Sequence, residues 1–98
     1  MTTGDERQAA AARIAELIAL LKGQQGQDTA SIVEEAEALA RAVHAFHMEG
    51  IRFRIYNVDR ALARAGAALP PETRALLEDA RRHLEAAGFH TRSHQSPV

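Results

Sequence analysis

The feature that most constrains this chain is an apolar stripe that runs at helical spacing from about Ser31 to Ala65. Plotted at about 100° per residue, the stripe occupies a sector of roughly 80°, which is one continuous face of a helix. Its members are Val33, Ala36, Ala40, His44, His47, Ile51, Ile55, Val58, Leu62 and Ala65. A second row, one heptad apart, contains Ile32, Leu39, Phe46 and Phe53. The combined face is too wide for one partner helix, so we expect neighbours on two sides.

The start of this helix is marked by polar capping residues. Asp28, Thr29 and Ser31 are competent N-caps, and Ser31 pairs with Glu34 in the spacing of a capping box. We therefore expect a long central helix over about 29–65.

Gly50 is the candidate point at which this helix could break. The eight residues that follow it, 51–58, alternate apolar and polar well enough to form a strand instead. Helix is favoured because the stripe resumes in phase after Gly50 and because one glycine inside a helix costs only about 1 kcal/mol relative to alanine. A lone strand would also need a pairing partner, and no other segment resembles one.

The flanking segments predict two shorter helices. Apolar residues at three- and four-residue spacing predict a helix over about 5–22, which ends where Gly23 begins a glycine- and glutamine-rich segment. Pro70 and Pro71 introduce a last helix over about 71–87, and Gly88 followed by Phe89 is typical of a glycine C-cap with its hydrophobic contact. The polar residues 90–98 are expected to form a mobile tail.

These elements predict an all-α chain of three helices in a single domain, 1–98. The central helix would be about 50 Å long, roughly twice the length of its neighbours. Three helices of such unequal length leave apolar surface uncovered. We therefore expect self-association into an oligomeric helical bundle.

Composition excludes several classes of function. The chain has no cysteine, so it offers no disulfide, thiolate zinc site or cysteine nucleophile. No apolar run reaches the roughly 20 residues of a membrane span, and residues 1–7 lack the apolar core of a signal peptide. The expectation is a cytoplasmic protein that does not enter the membrane, and three helices with few aromatic residues argue against a deep substrate pocket and an enzyme.

Two histidines inside the apolar stripe suggest a metal site. His44 and His47 are three residues apart and would share a helix face, with a carboxylate, Glu37, in the same sector. Glu37 lies about 10 Å further along the axis, so the remaining ligands must come from another helix or chain.

A symmetric dimer would supply those ligands. If two central helices crossed antiparallel near Ala40 and Arg41, Glu37 would face His44 of the second copy and Glu34 would face His47. Carboxylate and imidazole are the ligands with which helical bundles hold iron, manganese or zinc.

The same histidines have interpretations that need no metal. A histidine on an apolar face is more often a packing residue, hydrogen-bonded to a carbonyl or carboxylate, than a ligand. If the helix ended at Gly50, both would lie near its negative end, which favours a pH-sensitive interface.

Charge is distributed unevenly along the chain. Residues 1–50 carry four basic and eight acidic side chains, whereas residues 51–98 carry eight basic side chains, all arginine, and five acidic ones. Arginine forks bind phosphate, so nucleic acid is a possible partner, with Arg52, Arg54 and Tyr56 as the residues to test. The arginines are interleaved with carboxylates at ion-pair spacing, and ion pairs are the favoured interpretation.

The sequence thus favours a small self-associating module, a scaffold or regulator, that binds a protein partner. The residues expected to contact that partner are Phe46, Arg52, Phe53, Arg54 and Tyr56. A metal-binding bundle built on Glu34, Glu37, His44 and His47 is the alternative, and nucleic-acid binding is the second alternative.

Overall fold

The computed structural model describes residues 3–24, 29–89 and 91 of this chain. Within these residues all regular secondary structure is helical, and residues 51–58 lie inside a helix as predicted. The α-helices are α1 (Thr3–Lys22), α2 (Thr29–His44), α3 (Met48–Ala65) and α4 (Glu72–Ala86), with a short 3₁₀ turn at Gly66–Ala68. The predicted ends of the first helix at Lys22 and of the last helix near residue 87 are confirmed to within one residue. The capping residue Asp28 lies outside the described residues.

The prediction of three helices with one continuous helix over 29–65 is wrong. The described chain has four α-helices, because the central segment is interrupted at Ala45, Phe46 and His47. The chain reverses direction there, so that α3 packs back along α2. The break precedes Gly50, which lies in the first turn of α3.

The reversal is a Schellman motif with phenylalanine in the position that glycine normally takes. Phe46 has a φ of 57°, in the left-handed region. Its N–H donates to the Val43 carbonyl at 3.2 Å, and the His47 N–H donates to the Ala42 carbonyl at 3.1 Å. This pair of bonds ends a helix. A residue with a Cβ costs roughly 1–2 kcal/mol in this conformation, so other interactions must offset it.

The offsetting interaction is burial of both halves of the apolar stripe in one core. Ile32, Ala36, Leu39 and Val43 of α2 are buried together with apolar residues of the other three helices. Those of α3 are Ile51, Ile55, Val58, Ala61 and Leu62. Each fully buried aliphatic side chain contributes about 1.5–3 kcal/mol, so their sum exceeds the cost of the left-handed residue several times over.

The break also makes the chain compact. The radius of gyration is 12.8 Å, close to the roughly 13 Å typical of a folded domain of 100 residues. Unequal helix lengths therefore give no reason to expect an oligomer, because no α-helix of the described chain is twice as long as its neighbours.

Neighbouring helices in the chain contact each other, and α1 packs closely against α4. His83 of α4 joins these two helices, because its Nδ1 lies 2.8 Å from Oε1 of Glu6. The contact between α3 and α4 is smaller, so α2 is the main support of α3. Within the described residues, no helix combines the length and apolarity that crossing a bilayer requires.

The end of α4 confirms the predicted glycine cap. Gly88 has a φ of 97°, its N–H donates to the Glu85 carbonyl, and the Phe89 N–H donates to the Leu84 carbonyl at 2.9 Å. Phe89 is buried. Thr91 is buried as well, and its carbonyl accepts a hydrogen bond from Arg81. The prediction of a mobile tail over 90–98 therefore does not hold for Thr91, which is held against α4. His90 and residues 92–98 lie outside the described residues.

The start of α1 and the end of α4 both meet the reversal between α2 and α3. The ring of Phe46 lies 6.2 Å from that of Phe89, and the Arg7 guanidinium lies 4.2 Å above the Phe46 ring. The reversal is thus anchored to the start of α1 and to the residues after α4. Stacking and cation–π contacts of this kind each contribute about 0.5–1.5 kcal/mol.

Gly50 has a local packing role in the first turn of α3. A Cβ at this position would overlap the imidazole of His47, which lies over the first turn from its position as N-cap residue. The absence of a Cβ at Gly50 therefore leaves room for the His47 side chain.

The reversal predicts an unusual order of stability for two variants of Phe46. Both Phe46→Gly and Phe46→Ala lose the ring contacts, but glycine has no penalty in the left-handed region. We expect Phe46→Gly to be the more stable variant by about 1 kcal/mol in urea unfolding. In a continuous helix alanine would be the more stable by a similar amount, and that order would contradict the reversal.

Candidate interaction surface

The outward face of α3 carries a stripe of four side chains, Glu49, Phe53, Tyr56 and Arg60, which we call the outer stripe. Their spacing of four, three and four residues places them on one side of the helix. All four are exposed, whereas Ile51, Ile55, Val58 and Leu62 on the opposite side are buried. The helix therefore has an apolar inner face and a second, partly aromatic face that is open to solvent.

Most of the chain's aromatic surface lies outside the core. The sequence contains three phenylalanines, one tyrosine and no tryptophan. Phe53 is 57% exposed, Tyr56 48% and Phe46 57%, whereas Phe89 is buried. Met48 is also exposed, so the exposed large hydrophobic residues of the described chain all lie between 46 and 56. A folded monomer gains stability by burying such rings, and their concentration in one exposed segment is typical of an interface.

Arginine side chains lie against both aromatic rings of the outer stripe. The Arg54 guanidinium lies 5.3 Å from the centre of the Phe53 ring, and that of Arg60 lies 5.6 Å from the centre of the Tyr56 ring. Arg54 also forms an ion pair with Glu35 of α2 at 3.6 Å. These contacts limit the rotamers of the rings, which lowers the entropy lost when a partner binds.

Most of the described arginines between residues 51 and 98 form ion pairs with carboxylates. Arg52 binds Glu49 at 2.6 Å, and Arg54 binds Glu35. The other pairs are Arg74 with Asp59, Arg81 with Glu78 and Arg82 with Asp79. Arg81 is also buried. The ion-pair interpretation is confirmed for these residues, and nucleic-acid binding stays a prediction.

The residues predicted to bind metal do not share one helix. His44 is the last residue of α2, His47 precedes α3, and both are exposed. The reversal between them removes the shared helix face on which the prediction depended. No group of three or more His, Cys, Asp or Glu residues within the described chain is arranged to hold a metal ion.

The predicted carboxylate ligands lie elsewhere on α2. Glu37 forms an ion pair with Lys22 of α1 at 3.5 Å. Glu34 and Glu37 line a surface groove of about 400 Å³ together with Glu35, Arg41 and Arg54. Ala36, expected to let two copies approach, is buried inside the chain's own core. A metal site shared between two copies stays a prediction.

Comparison with known proteins adds no further information, because no family model, curated protein or solved structure matches this chain. The class of the molecule is therefore defined by its own structure. It is a small all-α bundle with an exposed aromatic and arginine-rich helix face.

The sequence predicted the aromatic members of this surface but not its charged ends. The sequence predicts that Phe53 and Tyr56 of the outer stripe, and Phe46 outside it, contact a partner, and all three are exposed. Glu49 and Arg60 were missed. The signal that could have found them is the four-three-four spacing opposite the buried face of α3.

The exposure of the rings predicts a contrast between neighbouring residues of α3. Phe53→Ser and Tyr56→Ser should each lower the free energy of unfolding by less than about 1 kcal/mol in dilute solution, because much of each ring is already in water. Ile55→Ala should lower it by about 2–5 kcal/mol, since it leaves a cavity in the core. Urea unfolding followed by circular dichroism measures all three. Equal losses would contradict the assignment of the rings to the surface.

Proposed function

We propose that this chain is a protein-interaction module, a scaffold or regulator, that binds its partner through the outer stripe of α3. The observation that supports this most directly is the exposure of Phe53 and Tyr56 at the centre of a rigid helix face. Aromatic residues and arginine are the residue types most enriched in binding hot spots.

The two exposed rings would make a substantial contribution to the free energy of binding. Burying the exposed half of a ring removes on the order of 100 Å² of apolar area from water, which contributes about 2 kcal/mol per ring. Phe53 and Tyr56 lie one helical turn apart on the same face, so a single partner surface covers both. Helices supported by a packed core present such anchors with little reorganisation.

The charges on and beside the outer stripe favour a protein over a nucleic acid. Glu49 lies at one end of the stripe, and Arg52 and Arg54 are already bound to carboxylates. A phosphate backbone would be repelled by Glu49 and would have to compete for these arginines. A polypeptide surface of mixed charge meets neither obstacle.

Site-specific photocrosslinking tests the proposed function in cells that express the chain. With the photoreactive residue in place of Phe53, we expect discrete adducts, either with a second copy or with a different protein identified by mass spectrometry. Adding Tyr56→Ser should reduce their yield at least several-fold, because it removes the neighbouring anchor.

The matched control places the photoreactive residue at Ala75, an exposed position of α4. A yield at position 53 no greater than at position 75 would contradict the proposal.

A further inference from the structure

We infer that the partner of the outer stripe is a second copy of this chain, bound with the two α3 helices antiparallel. The inference rests on the proposed function and goes beyond it by naming the partner and the register. The inference is based on self-complementarity: the outer stripe of one copy matches the outer stripe of a second copy that runs antiparallel to it.

The complementarity follows from the positions of the four residues. When a two-fold axis passes between positions 54 and 55, residues whose numbers sum to 109 lie level with one another. Phe53 then meets Tyr56 of the second copy, and Glu49 meets Arg60 of the second copy. Each contact occurs twice, as an isologous interface requires. Two aromatic contacts form the centre and one ion pair closes each end.

The end charges are suited to these ion pairs. Arg52 binds Oε1 of Glu49 at 2.6 Å, and the Glu49 side chain is 75% exposed, so a second guanidinium can reach the same carboxylate. The Arg60 guanidinium lies over the Tyr56 ring, and it has no ion pair with a carboxylate of the described chain. An interchain pair would give Arg60 the partner that its own chain does not supply.

The same charges select the antiparallel orientation. Glu49 and Arg60 are eleven residues apart, or about 16 Å along the helix. In a parallel arrangement Glu49 would face Glu49 and Arg60 would face Arg60, which places like charges against each other at both ends. Antiparallel helices also oppose their dipoles, a smaller effect in the same direction.

The contact involves one helix face from each copy, so its area is at the small end of specific interfaces. A standard interface buries about 800 Å² per partner, and a single stripe of this length buries less. We therefore expect a dimer that dissociates on dilution.

Charge reversal combined with mixing tests both the partner and the register. Sedimentation velocity of the unaltered chain should show monomer converting to dimer between about 10 µM and about 1 mM, the range of a weak interface. Glu49→Arg alone and Arg60→Glu alone each place two like-charge pairs in the interface, so each should weaken the dimer about tenfold or more.

Mixing the two variants in equal amounts should restore a dimer. In the mixed pair, the arginine introduced at position 49 of one chain meets the glutamate introduced at position 60 of the other. At the opposite end of the interface, the unaltered Arg60 of the first chain meets the unaltered Glu49 of the second. Both ends of the mixed interface therefore carry opposite charges, as they do in the unaltered dimer.

Two controls accompany the mixing experiment. Arg82→Glu, a reversal at an exposed site on α4, should leave dimerisation unchanged. Circular dichroism checks that each variant is folded. If a reversal prevents folding, Glu49→Gln and Arg60→Gln replace it, and each should weaken the dimer by a smaller factor.

The outcomes separate this inference from the proposed function. A chain that stays monomeric at the highest concentration, or variants that fail to dimerise on mixing while the unaltered chain dimerises, would overturn the antiparallel pairing. A monomeric chain that still crosslinks through position 53 to a different protein would overturn the inference alone. Absence of any specific adduct at position 53 would overturn the proposed function, and with it the inference.

Discussion

The structure depends on the reversal of the chain at Ala45, Phe46 and His47. Without it, the apolar stripe would lie along one helix and half of it would have no core to enter. With it, α2 and α3 bring both halves of the stripe into the same interior. The cost is a phenylalanine in the left-handed region, and the contacts of its ring with Arg7 and Phe89 help to offset that cost. The strained backbone conformation of Phe46 thus allows both halves of the apolar stripe to be buried in one core.

The same reversal determines which surface of α3 faces solvent. Packing Ile51, Ile55 and Val58 inward turns Phe53 and Tyr56 outward. The second apolar row is divided accordingly, because Ile32 and Leu39 are buried whereas Phe46 and Phe53 are exposed. α3 thus has one face in the core and an aromatic stripe on the other, and it is this second face that we propose as the binding surface. In the proposed interaction, the charges of Glu49 and Arg60 at the two ends of that stripe restrict the orientation of the partner.

Much of the fold could be predicted from the sequence, and the exception has a physical reason. The end of α1 follows from the glycines after Lys22, and the cap at Gly88 follows from its type and from Phe89. The reversal at Phe46 carries neither glycine nor proline, and the stripe continues in phase through it, so periodicity alone predicts one helix. Burial in the tertiary structure favours two helices over one, and this burial depends on contacts between residues distant in sequence. For the candidate site, residue type indicated Phe53 and Tyr56. The placement of His44 at the end of α2 and of His47 before α3 follows from the reversal and could not be read from their spacing.

A distance between the start of α2 and the end of α3 tests the reversal most directly. The chain has no cysteine, so Ala30→Cys with Arg64→Cys, both exposed positions, gives a unique pair of spin labels for pulsed electron resonance, diluted with unlabelled chain. In the folded chain, Ser31 and Arg64 line the same groove, and we predict a short distance between the labels. A single helix over 29–65 would separate them by about 50 Å, and that result would contradict the fold and the exposed face of α3 that depends on it.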